Sequence, residues 1–172
     1  METFSAPHRP PIPDTGDERT QLEAWLDFYR ATVLYKCDGL KAAQLKERPV
    51  ESSTLSLLGI VRHMTFVEQV WFEARFIGAD VQEYYKTSQD RDADFNDLDS
   101  AAVEEVFDLY LYATAKSREL VAGHSLDELM KRERNGRHFD LRWIYIHLIE
   151  EYARHCGHAD LLRELIDGTT GY

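Results

Sequence analysis

The sequence predicts an all-α protein, folded as a four-helix bundle. Three observations lead there. Four long segments repeat apolar residues at three- and four-residue steps, the period of a helix with one buried face. Little of the chain alternates as a half-buried strand does, and cap and turn residues separate the segments. At 172 residues the chain is long enough for one sizeable core, and no internal repeat divides it.

The first sixteen residues hold four of the five prolines and little apolar patterning. They are expected to form an extended arm over 1–16, with residues 17–172 as a single bundle domain. Helix one is expected from about Asp17 to Leu40, where Leu22, Trp25, Leu26, Tyr29 and Val33 share a face. Helix two follows the cap signal Ser52-Ser53-Thr54 and stops at Gly78. The Asp-, Ser- and Asn-rich interval "TSQDRDADFNDLDS" reads as a loop. Helix three covers roughly Ser100 to Ala122, capped by Asp99 or Ser100, with Glu104 and Glu105 suited to its positive end. Asn135-Gly136 marks a turn, so a short hairpin or irregular insertion precedes the last helix. Asp140 is a good N-cap for helix four, which runs from Leu141 to about Ile166. The intervals flanking helix three are long enough for long crossover connections.

Composition excludes some functions. A formal net charge of −11 is unsuited to a nucleic-acid partner, which needs a basic footprint. No apolar run approaches the roughly 20 residues that span a bilayer. The N-terminal stretch has no apolar signal region, so a cytoplasmic location is expected. Cys37 and Cys156 lie far apart, neither in a CxxC pair, and read as small buried residues.

The densest chemistry is in "HLIEEYARHCGHADLLRELIDG". With about 100° per helical residue, His147, Glu151, His155 and His158 project near 0°, 40°, 80° and 20°, a narrow stripe bordering the apolar face. Glu150, Arg154 and Glu164 fall elsewhere, on the solvent side. Polar groups turned towards a core must be paired, hydrogen-bonded or bound to a metal. Two readings therefore fit: a hydrogen-bonded polar core, or a metal site. "GIVRHMTFVEQVWFE" adds His63 on a second apolar helix, and bundles build metal sites from facing helices. His63 could equally hydrogen-bond Glu151. Imidazole and carboxylate donors suit Zn²⁺, Ni²⁺ or Fe²⁺.

Taken together, "LLGIVRHMTFVEQVWF" and "LRWIYIHLIEEYARHCGHADLLRELIDG" resemble the DinB-like superfamily of metal-binding four-helix bundles. The resemblance is closest to the actinobacterial branch of mycothiol-dependent maleylpyruvate isomerases and mycothiol S-transferases. It covers nearly the whole chain after the arm. It implies a DinB-like bundle in which His63 joins Glu151 and His155 as ligands of a zinc ion. This is the variant with Glu-x3-His in the last helix, where many members have His-x3-His. His158 stands where many members have Gln, and it is a pocket residue along with His147 and Arg154.

The implied chemistry is activation of a low-molecular-weight thiol, such as mycothiol or bacillithiol, for S-transfer, conjugation or isomerisation of a small electrophile. The expected partners are that thiol and that electrophile, with no nucleic acid and no membrane; the family also allows a homodimer. The alternative is a non-catalytic, metal-binding, stress-associated bundle acting through a partner.

Overall fold

The computed structural model describes residues 3–171; residues 1 and 2 of the expected arm, and Tyr172, lie outside the described residues. Its elements are α1 (Glu18–Tyr35), α2 (Ala42–Lys46), α3 (Leu57–Glu68), a π-helical continuation (Gln69–Ile77), α4 (Ala93–Asn96), α5 (Val103–Val121) and α6 (Leu141–Asp167). The described residues are all-helical apart from two isolated antiparallel bridges, Leu129 with Asp140 and Arg134 with Arg137. This is the all-α bundle the sequence predicts, with the short hairpin in front of the last helix.

Local chemistry sets the helix starts. Asp17, Ser56 and Asp140 are the N-caps of α1, α3 and α6, and their side chains accept from the amides of Thr20, Gly59 and Trp143. Each bond satisfies one of the amide groups that a helix N-terminus leaves without a partner. α3 therefore begins later than the Ser52–Thr54 signal, because Ser56 is the residue whose oxygen meets a first-turn amide. α5 also begins late, after Ala102, with no side-chain cap. Helix one ends at Tyr35 rather than Leu40, and the short α2 and α4 form within stretches expected to be irregular.

α1 packs chiefly on α6, and α3 packs on both α5 and α6. Leu26, Val33 and Leu34 of α1 meet a core that includes Leu58, Val61 and Met64 of α3, Phe107 of α5, and Ile144, Leu148 and Leu162 of α6. Each such side chain, fully buried, stabilises the fold by about 1.5–3 kcal/mol before entropy is counted. From the N-terminal segment, Phe4 stacks on Phe107 with ring centroids 3.8 Å apart.

One polar cluster crosses this core. Arg30 Nε and Nη2 each donate to a different oxygen of Glu68 at 2.7 Å, and Tyr152 Oη donates to Glu68 Oε1 at 2.8 Å. Tyr110 Oη donates to the Arg30 carbonyl at 2.9 Å. Glu68 is fully buried, and these donors replace the water its carboxylate would otherwise hold. The cluster ties α1, α3, α5 and α6 together at one level.

Candidate metal centre

His63 lies on α3; His147, Glu151, His155 and His158 lie along α6. Donor atoms from His63, Glu151 and His155 all fall within 4.8 Å of one another. His155 is buried, and the other two are half-buried. The Glu151 carboxylate sits between two imidazoles: Oε1 is 3.8 Å from His147 Nε2, and Oε2 is 3.8 Å from His155 Nε2. Both distances exceed a hydrogen bond. The His63 and His155 rings are 4.8 Å apart, and His158 Nδ1 approaches His155 Nδ1 at 3.4 Å.

The partner of His63 is Asp94 of α4. Nδ1 and Asp94 Oδ2 are 2.8 Å apart, and Lys86 Nζ reaches the same oxygen at 3.2 Å. The alternative in which His63 hydrogen-bonds Glu151 is thus replaced by a different carboxylate. A proton held at Nδ1 by Asp94 would leave Nε2 as a lone-pair donor, the arrangement that orients metal-binding histidines. Burial alone would raise the Asp94 pKa, but the His63 hydrogen bond and the Lys86 charge outweigh it and hold Asp94 below its ordinary value.

A glycine permits this approach. A Cβ on Gly59, one turn before His63, would lie 2.8 Å from Phe95 Cδ1. Without one, the Phe95 ring rests on α3 and stacks on His63 at 5.2 Å. That contact brings the adjacent Asp94 to Nδ1.

His155 is pushed down to about 3, first by burial and then by the positive potential of His63 and His158. His147 is also lowered, mainly by burial, with Glu151 opposing. Both rings are therefore neutral at pH 7, the form that offers a lone pair. Cys37 and Cys156 are each pushed up to about 12, chiefly by burial, so neither thiol is a nucleophile near neutrality.

Of the residues expected in the pocket, His147 and His158 border the cluster. Arg154 does not; its side chain is 55 % exposed and paired with Glu150 on the solvent side. Sequence reasoning missed Asp94, because nothing in "DRDADFND" separates it from Asp90, Asp92 and Asp97. It also passed over the aromatic surround of His147: Trp71 lies edge-on at 4.6 Å, and Trp143 stacks at 4.9 Å with Phe139 behind it at 4.0 Å. The two four-residue steps from Phe139, just before the cap, to Trp143 and then His147 were the available signal.

The chain is thus an all-α bundle of the DinB-like class, with two histidines and a glutamate drawn together from α3 and α6. Within that class the chain belongs to the mycothiol S-transferase family, whose model matches residues 21–168. Comparison with curated proteins gave no match. Among the described residues, no helix is long and apolar enough to cross a membrane.

Proposed function

We propose that the protein is a metal-dependent enzyme that transfers a low-molecular-weight thiol, mycothiol or a close analogue, to a small electrophile. The convergence of His63, Glu151 and His155 carries this reading, and family membership supplies the thiol. The donor set fits a borderline divalent cation, with zinc the first candidate and nickel or iron compatible. Three protein ligands leave a position open, and a cation there would lower the pKa of a bound thiol towards neutrality.

The chain's own residues supply the rest. Asp94 holds the proton on His63 Nδ1, so that Nε2 faces the cluster. His155 stays neutral because it is buried, and Glu151 brings the one negative charge. His147 Nε2, neutral and beside Glu151, is placed to take the thiol proton. An S–C bond then forms to the electrophile, whose leaving group departs with the bonding pair. With both cysteines buried and protonated, the reacting sulfur belongs to the co-substrate. Thiol addition followed by elimination at the same site would give isomerisation.

Metal analysis of the purified protein, with mycothiol-dependent conjugation of a chromogenic electrophile, tests this. The expected result is about one cation per chain, lost together with turnover in His63→Ala and His155→Ala. A protein that holds no metal, or whose turnover survives both substitutions, overturns it. Metal retained without thiol binding would favour the non-catalytic bundle.

A further inference from the structure

The chain is strongly acidic, yet one basic surface stands beside the candidate centre. The hairpin "KRERNGR", residues 131–137, carries four basic residues against one acid. Its turn is built by Asn135 and Gly136, both left-handed with φ of 54° and 74°. Its stem is fastened to the end of the π-helical segment, where the Lys131 and Arg132 amides donate to the carbonyls of Phe76 and Arg75 at 3.1 and 3.0 Å. The hairpin is therefore held in place rather than trailing in solvent.

This anchoring sets the guanidinium groups over the aromatic surround of His147. Arg134 lies 5.0 Å from the Trp71 ring centre, Arg75 lies 5.5 Å from the same ring, and Arg137 lies 5.0 Å from Phe139. Among the described residues, no carboxylate lies within 4 Å of Arg75, Arg134 or Arg137, although acids outnumber bases 31 to 20 in the chain. Arg75 Nη1 donates to the Glu133 carbonyl at 3.0 Å, while its Nε is buried with no hydrogen-bond partner. Two like charges lie beside one indole; burial first, and then the positive potential of Arg134, lower the Arg75 pKa, with the charge of Glu83 opposing. Arg134 is exposed and Arg75 half-buried, so water and the Trp71 face temper their repulsion, and an anion between them would remove what remains.

We infer that Arg134 and Arg75, with Arg137 at the rim, form an anion-binding subsite one indole away from His147, and that it selects electrophiles bearing a carboxylate or similar anionic group. A guanidinium recognises a carboxylate through paired N–H donors; Arg134 presents its fork at the surface, and beneath it the buried Arg75 Nε has no hydrogen-bond partner. The inference rests on the proposed thiol-transfer site, and it specifies which electrophiles that site takes. The anion lies at the hairpin, and the reacting carbon is directed along Trp71 towards His147 and the cluster.

The test uses a matched, unreactive pair, para-nitrobenzoate and para-nitrobenzamide, titrated into the full-length protein without thiol. Quenching of tryptophan fluorescence reads binding. The wild type is expected to bind the carboxylate about tenfold more tightly than the amide, the scale of one charge-assisted interaction, with the preference shrinking as salt is added. Arg134→Gln and Arg75→Gln should each reduce the preference severalfold and together abolish it. Arg118→Gln, an equal loss of charge beside Asp27, should leave it intact. Equal affinity for the two ligands overturns the subsite, as does a preference that survives the Arg134 and Arg75 substitutions or falls equally with Arg118→Gln. Thermal denaturation confirms that each variant is folded. Because the probes neither react nor need thiol, loss of this preference is distinguishable from failure of the transfer reaction.

Discussion

Asp94→Asn separates the orientation of His63 from its presence. The substitution keeps the side chain's size but removes the charge from a fully buried carboxylate that takes a 2.8 Å bond from His63 and a 3.2 Å contact from Lys86. A charge-assisted bond is about twice as strong as a neutral one, so roughly 1–1.5 kcal/mol of orienting energy is lost. The amide can also present N–H to Nδ1, favouring the tautomer that protonates Nε2. Both effects oppose metal binding, and losses of about 10–100-fold accompany such changes around metal-bound histidines. Zinc affinity, measured by competition with a chromophoric chelator at pH 7, should fall by about that factor, which is about 1.4–2.7 kcal/mol. The metal-free variant should unfold in urea near the wild-type midpoint, because removing the cost of a fully buried charge offsets the loss at Lys86. An affinity within twofold of wild type would refute this account of His63.

Glu68→Leu leaves Arg30 buried opposite an apolar group and should destabilise the fold by about 3–5 kcal/mol in urea denaturation, whereas Arg30→Met with Glu68→Leu should recover most of that loss. A double variant no more stable than the single one would contradict that explanation. Gly59→Ala drives a methyl against Phe95, so zinc should bind several-fold more weakly while helicity by circular dichroism is unchanged. Unaltered affinity would show that Phe95 does not hold Asp94 in place.

The parts legible in the sequence are those governed by neighbouring residues. Asp140 is read as a cap because its oxygen needs only the amide of Trp143, and α6 does begin at Leu141. The stripe of His147, Glu151, His155 and His158 is legible for the same reason, since helical periodicity alone aligns it. The N-terminus of α5 is misplaced because the methyl of Ala102 cannot accept a first-turn amide and so gives no cap signal. The π-helical stretch from Gln69 to Ile77 escapes notice because a shifted hydrogen-bond pattern leaves no mark on the apolar spacing. Asp94 and the Arg30–Glu68 pair depend on contacts between residues distant in sequence. A charged residue within an apolar helix gives no indication of which partner neutralises it.

The Glu68 cluster has a consequence for how the site is assembled. Tyr152 directly follows Glu151, and Glu68 lies little more than a turn beyond His63 on the same helix. Sliding α6 by one residue, about 1.5 Å, would break the Tyr152 bond to Glu68 and carry Glu151 and His155 past His63 in the same movement. The interior clamp thus works as a spacing gauge, cut into the bundle before any cation arrives. Chelated protein is expected to keep its ligands in register and to take up metal again without refolding, as unchanged urea midpoints before and after a cycle of stripping and reloading would show.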